Sequence, residues 1–398
     1  MISVGIDISK GKSTVCIMKP YGEVISMPFD VNHVENELSK LVDMIKKLHG
    51  EVKIIMEATG KYHLPILGYF LEHKFFISVI NPLIMKKYAS TALRKGKTDK
   101  LDAIKIAYYG IDNWFRLEEY QIKEETYEEL RLLGRQYAHY IKLLVDSKLS
   151  LTTLLDQAMP GIKNLLKNHS NSNGNNKLRD FIAQYWHFDN ITKKSQKQFI
   201  NSYISWAKKK GYHPSEAKAI KIYALAKEGI PTIKSNSPST KMLLSESVRV
   251  LKEIEKTLLI ILSRMQEISK TLKEYNIVRE MHGVGDVLAP RLIAEIGDAR
   301  RFYSGKALVA YAGIDAPPYE SGQFVGTKRR ISKRGSSTLR KTGYEIMTVL
   351  KSHKPKGDAV YNFIIKKEQE GKPKKVAKIA GLNKFLRIYY ARVKEVYQ

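Results

Sequence analysis

Apolar positions in the first third of the chain come in short runs of the kind that strands need. Ile2–Ile6, Ser13–Met18 and Glu23–Pro28 are β-rich, and the turn signals Lys10-Gly-Lys12 and Pro20-Tyr-Gly22 separate them. The period then changes. Val34, Leu38, Leu41, Val42, Ile45 and Leu48 lie three or four apart and predict a helix with one apolar stripe. A strand from Val52 to Glu57, a helix over Leu64–Leu71, a strand over Phe75–Ile80, a short helix after Pro82 and a helix over Lys97–Ile111 complete the region. Further on, helical spacing persists for much longer. Leu130, Leu133, Tyr137, Tyr140, Leu144, Leu151 and Leu154 predict a helix over 125–158, interrupted only by Ser147. A second helix, from about Lys241 to Tyr275, carries Leu244, Leu251, Ile254, Leu258, Ile261, Met265, Ile268 and Leu272, broken at Ser247. Such seams predict a coiled coil, either folded back within one chain or formed between copies.

Three strands, helix, strand, helix, strand, helix is the element order of an RNase H-like domain. The expected fold class is therefore α/β at the N-terminus and all-α beyond it. Three domains follow: an RNase H-like domain over 1–115, coiled-coil and linker helices over 116–276, and a mainly helical domain over 277–398. Residues 160–238 read as a helical insertion between the long helices, flanked by the polar runs His169–Asn176 and Lys234–Thr240, and the pattern assigns it no function. In the last domain, Met281-His-Gly-Val-Gly-Asp286 has the glycine spacing of a helix-hairpin-helix turn. Gly283 and Gly285 would let backbone N–H groups approach a phosphate there.

Charge narrows the partner. Lys and Arg number 68 against 40 Asp and Glu, a formal net charge of +28 spread along all 398 residues. That excess favours a polyanion, nucleic acid above all. No apolar run approaches the roughly 18–20 residues of a spanning helix, and no signal-peptide core opens the chain, so no membrane partner is expected. Cys16 is the single cysteine, which excludes an internal disulfide and a cysteine-based zinc site. It reads as a small buried strand residue, and a cytoplasmic, nucleoid-associated location fits.

Two constellations carry chemistry. Asp7 and Glu57 end apolar runs, while Asp99 and Asp102 fall i, i+3 on one helix face. An RNase H-like fold would gather all four, and clustered carboxylates need a cation to offset their repulsion. The second lies near residue 321. Between Gly322 and Lys341 stand seven basic residues, Lys328, Arg329, Arg330, Lys333, Arg334, Arg340 and Lys341, and no acidic one. Their charge suits phosphate binding, and arginines beside a serine could stabilise a pentavalent oxyanion. Composition and spacing alone do not choose among Ser321, Ser332, Ser336 and Ser337.

The motifs occur in a telling order: Gly5-Ile-Asp-Ile-Ser-Lys10, Met56-Glu-Ala-Thr-Gly60, Asn81-Pro82, Lys97-Thr-Asp-Lys-Leu-Asp-Ala103, His282-Gly-Val-Gly285, Ala307-Leu-Val-Ala-Tyr-Ala-Gly313, Ser321-Gly322 and Ile331-Ser-Lys-Arg-Gly335 with Leu339-Arg340. Together they resemble the bacterial insertion-sequence transposases that join a RuvC-like DEDD domain to a serine-transposase domain, relatives of the Piv invertases described as bridge-RNA-guided recombinases. The resemblance covers both ends of the chain and is weakest over 160–238. It implies that Asp7, Glu57, Asp99 and Asp102 hold Mg²⁺ or Mn²⁺ and that Ser321 forms a covalent phosphoserine link to DNA. It also implies donor and target DNA, a non-coding guide RNA, and a dimer or tetramer in which the two sites meet between subunits. The competing reading is a metal-dependent endonuclease or junction resolvase in which Ser321 is structural. A degenerate nucleic-acid-binding scaffold fits an intact tetrad poorly, and a sugar-kinase-like reading lacks a second glycine-rich phosphate loop.

Overall fold

The structure is a computed structural model. It describes residues 1–58, 60–90, 98–120, 124–166, 176–317, 320–321, 324–325 and 330–398, with 320–321 and 324–325 as backbone only. The chain divides into two compact units, Met1–Ile122 and Lys123–Gln398.

In the first unit the order is β1 (Ile2–Ile8), β2 (Lys12–Met18), β3 (Val24–Asn32), α1 (Glu35–Lys46), β4 (Val52–Glu57), α2 (Leu64–Glu72), β5 (Ile77–Ile80), α3 (Pro82–Ala89) and α4 (Asp99–Asp112). The strands form one sheet in the order β3-β2-β1-β4-β5. The first three pair antiparallel, and β1, β4 and β5 run parallel. This is the RNase H-like arrangement that the element order predicts. β1 runs through the middle and is buried along its length except at Asp7. The strand continues one residue past Asp7 because Ile8 is again buried, so the carboxylate stands within the strand rather than after it. Ile6, Val15, Ile54, Ile66, Phe70 and Ile77 form the main core, to which Leu41 and Ile45 of α1 contribute. Cys16 is buried in β2 with Met18, against Ala103 and Ala107 of α4.

Small residues seat α4. A Cβ on Gly5 would stand 2.3 Å from the Ala107 nitrogen and 2.5 Å from the Ala103 oxygen, so only glycine lets the helix backbone rest on β1. Gly110 repeats the device at the other end, where a Cβ would meet Ser3 Oγ at 2.3 Å. The helix begins at Asp99, two residues later than its apolar pattern predicts, because the Thr98 hydroxyl accepts from Leu101 N at 3.2 Å and caps it.

The second unit opens with α5 (Glu125–Ala158), α6 (Ile162–Leu165), α7 (Lys177–Gln184), α8 (Asp189–Thr192), α9 (Gln196–Lys209), α10 (Glu216–Glu228) and α11 (Pro238–Lys270). It continues with α12 (Tyr275–Glu280), α13 (Gly285–Ile296), α14 (Gly305–Tyr311), the short β6 (Glu320–Ser321) and β7 (Phe324–Val325), α15 (Ser337–His353), α16 (Ala359–Gln369) and α17 (Lys374–Val396). Helices α5 and α11 pack along one another. Their stripes are buried inside the unit: Leu151, Leu155, Leu244 and Leu251 join an aromatic core with Phe181, Phe199 and Tyr203. Leu130, Tyr137, Leu258 and Met265 join a second core with Leu292, Leu339, Ile346, Leu386 and Tyr389. The seam residues thus find their partners within one chain.

Candidate active site

The sheet register brings the first two carboxylates together. Ile6 pairs with Met56 on the parallel strands β1 and β4. Asp7 and Glu57 follow as neighbours at one level, on strands about 4.8 Å apart. Helix α4 packs on β1 and β2, and Asp99 and Asp102 occupy its first turn, one helical turn apart. The positive end of the helix dipole favours acidic side chains there.

The electrostatics of Asp7 show what this placement does. Its carboxyl is pushed up to about 6, first by burial, then by the negative charges of Asp102, Asp99 and Glu57, while a hydrogen bond to the Ile8 backbone pulls the other way. All four acidic groups therefore act on one locale. Lys105, one turn along α4, donates to Asp102 Oδ1 at 2.8 Å. Among the described residues, no three His, Cys, Asp or Glu side chains converge tightly enough to hold a metal ion. The fit to a hard divalent cation rests instead on an all-oxygen donor set and on the repulsion felt at Asp7.

The serine region is organised from its base. Ser332 N donates to Asp315 O at 2.8 Å, Lys333 N to Gly313 O at 3.0 Å and Ser336 N to Tyr311 O at 2.8 Å, which closes residues 311–315 against 332–336. Arg340 Nη1 donates to Ala312 O and Gly335 O, both at 3.0 Å, and braces the same closure. The Ser332 hydroxyl donates to Asp315 Oδ1 at 2.5 Å. That of Ser336 donates to Glu295 Oε2 at 2.9 Å and accepts from Leu339 N, capping α15. Ser321 lies between these clamped ends, its backbone in β6 paired with Phe324 of β7. Its side chain, together with Gly322, Lys328 and Arg329, falls outside the described residues. Arg330, Lys333, Arg334 and Lys341 are exposed, whereas Arg340 is half-buried and engaged with carbonyls.

The paired glycines also answer to packing. Gly283, between α12 and α13, and Gly285, the first residue of α13, both take positive φ. A Cβ on Gly283 would stand 2.8 Å from Ile346 O of α15, which is a packing reason for glycine. Asp286 already places an anion in the first turn of α13, held by Arg279 Nε. Apolar periodicity and motif order did not expose Lys105, the Thr98 cap, Asp315 or Glu295. Of these Lys105 had a signal in its i, i+3 spacing from Asp102, and Thr98 in being a preferred N-cap residue just before a helix.

Comparison with known proteins agrees with this layout. Residues 4–160 match the family model of DEDD transposases of IS110 type, and residues 275–362 match that of the IS116/IS110/IS902 transposase family. The chain is an IS110-family transposase. The pilin gene-inverting protein of Moraxella bovis is 22% identical over 395 residues, covering 98% of this chain and 95% of that protein. The pilin gene-inverting protein of Moraxella lacunata matches with the same identity and coverage. Among solved structures, RuvC of Thermus thermophilus bound to a Holliday junction substrate is 11% identical, with a TM-score of 0.23 over 29% of this chain and 96% of that one. The transposase is thus a DNA-cleaving and recombining enzyme, and among its described residues no helix is long and apolar enough to cross a membrane.

Proposed function

We propose that the transposase cuts and rejoins donor and target DNA with two sets of groups, the acidic tetrad Asp7, Glu57, Asp99 and Asp102 and the hydroxyl of Ser321. The observation that supports the reading is the sheet register that sets Asp7 beside Glu57, with Asp99 and Asp102 in the first turn of the helix packed on β1 and the Asp7 carboxyl raised by burial and by these neighbours. Carboxylates so placed suit Mg²⁺ or Mn²⁺, and a bound divalent ion would neutralise the scissile phosphate and stabilise the attacking or leaving oxygen. Lys105 holds Asp102 from the helix side and keeps its carboxylate oriented while the site is assembled.

Ser321 supplies the nucleophile. Its Oγ attacks the scissile phosphorus, the phosphorus–oxygen bond to the sugar breaks, and the sugar oxygen leaves as a hydroxyl, the proton given up by the serine balancing the one it takes. Attack by a hydroxyl of the incoming strand reverses the step and frees the serine. Of the rival serines, Ser332 and Ser336 are tied to Asp315 and Glu295 in the closure of the loop base. The exposed Arg330, Lys333, Arg334 and Lys341 carry positive charge to the same excursion and would meet DNA phosphates. A non-coding guide RNA selecting the strands, and a dimer or tetramer as the working form, belong to this reading through the resemblance of the motifs.

Denaturing gels of the transposase with labelled element-end DNA and its co-purified RNA test the scheme. Wild type should give a protein–DNA adduct, and Ser321→Ala should lose it while still binding DNA. Adducts that persist in Ser321→Ala would remove the nucleophile assignment, and cleavage without any adduct would leave a metal-dependent nuclease. Sequencing the RNA should return one discrete species complementary to the exchanged strands; random cellular RNA would end the guide reading.

A further inference from the structure

Residues 160–238 carry fourteen Lys and Arg against four Asp and Glu, about twice the net positive charge per residue of the rest of the chain. The two family models match 4–160 and 275–362, so this region lies between them. The fold withdraws one of these four carboxylates from the surface. Asp180 is buried, accepting from the Tyr212 hydroxyl at 2.8 Å and facing Lys252 at 3.6 Å. Asp189 accepts from the Ser235 hydroxyl and faces buried His187 but stays half exposed, and Glu216 and Glu228 are exposed at the two ends of α10. The lysines of α9 and α10 have no carboxylate partner within 4.0 Å among the described residues.

The lysines also stand on a rigid frame. Phe181, Tyr185, Phe199, Tyr203 and Trp206 stack mainly edge-on in the core beneath them. On α9, Lys197, Asn201, Ser205 and Lys208 recur at i, i+4, i+8 and i+11 and are all exposed, with Lys209 beside the last. That row spans about 16 Å, along which a duplex presents on the order of ten phosphate charges. Lys177, at the start of α7, lies over the rings of Tyr203 and Tyr212. Its ammonium is held below its ordinary value by burial and then by Lys218 of α10, so like charges crowd this face without compensation.

We infer that α9 and α10 form a docking face for duplex DNA that grips phosphates and not bases. The aromatic residues of the two helices, Phe199, Tyr203, Trp206 and Tyr223, are all buried, which leaves no exposed ring on which an unpaired base could stack. Lysines and short polar side chains at helical spacing suit a regular backbone. The enzyme acts on DNA, and a contact remote in sequence from both Asp7 and Ser321 would hold the duplex during cutting and rejoining.

The test is the salt dependence of binding to a duplex of arbitrary sequence, measured by fluorescence anisotropy on the full chain. The triple variant Lys197→Gln, Lys208→Gln, Lys209→Gln changes only exposed side chains, and its melting curve checks that it folds. The slope of log Kd against log salt should fall by about two to three, with affinity lower by about tenfold or more at physiological salt. A control triple on α1 and the residue after it, Lys40→Gln, Lys46→Gln, Lys47→Gln, removes the same charge and should leave the slope nearly unchanged. Equal losses in both triples would reduce the effect to bulk charge and overturn the proposal, as would an unaltered slope in the first. A loss seen only with duplex RNA would overturn the assignment to DNA. None of these readouts depends on Ser321 or the tetrad working.

Discussion

Asp7 shows how one side chain reports on its neighbours. A carboxyl raised to about 6 binds its proton more tightly in the folded chain than in the unfolded one, where its ordinary value is near 3.8. Its contribution is therefore fully present below about pH 4 and is lost as pH rises through about 6. In chelator the transposase should melt at lower temperature at pH 7 than at pH 5. Asp7→Asn should remove most of that slope, worth about 1–2 kcal/mol after allowance for partial exposure. It should also abolish DNA cleavage. A pH-independent melting curve for wild type would mean that the acids do not share a locale. Arg340 and Lys341 separate a brace from a contact one residue apart. Arg340→Ala strands the carbonyls of Ala312 and Gly335 and should cost about 1–3 kcal/mol in thermal unfolding. Lys341→Ala, on an exposed side chain, should change stability by less than about 0.5 kcal/mol while weakening DNA binding.

At the scale of the element, α4 carries half of the acidic tetrad and depends on two glycines. Gly5→Ala would force a methyl into the Ala103 and Ala107 backbone, and because no flexible side chain can yield there the helix itself must lift. A loss of at least about 1–3 kcal/mol is expected in thermal denaturation, together with loss of DNA cleavage as Asp102 moves away from Asp7. Unchanged cleavage in a destabilised variant would separate the seating of α4 from the chemistry. Much of this layer was legible in sequence. The strand and helix periods gave the RNase H-like order, and the i, i+3 spacing put Asp99 and Asp102 on one face. The close approach behind Gly5 was not legible, because its partners lie a hundred residues away in the chain. Nor could the stripes on 125–158 and 241–275 name their partners: an apolar seam shows that a helix must be covered, not by what. The glycines of the His282–Gly285 turn were ambiguous in a related way, since the need to keep a Cβ away from Ile346 O of α15 calls for glycine at 283 as readily as a phosphate would.

For the whole molecule, a net charge of +28 acts on folding and on binding with opposite signs. Folding brings like charges closer together than they are in the open chain, so self-repulsion opposes the compact state. Dissolved salt screens that repulsion over about 8–10 Å near physiological ionic strength. Binding to DNA runs the other way, because each phosphate contact releases counterions whose return is favoured by salt. Raising sodium chloride from low to moderate concentration should therefore raise the melting temperature of the free transposase and lower its affinity for DNA. Paired thermal scans and anisotropy titrations across one salt series check both halves. A melting temperature that fell with salt would show that attractive pairs, such as Arg264 with Glu129 and Arg279 with Asp286, outweigh the excess of lysine. Most pairs among the described residues keep at least one partner exposed, where such pairs are individually weak, while the surplus positive charge is distributed over the entire chain, so repulsion is the side expected to prevail until DNA supplies the missing anions.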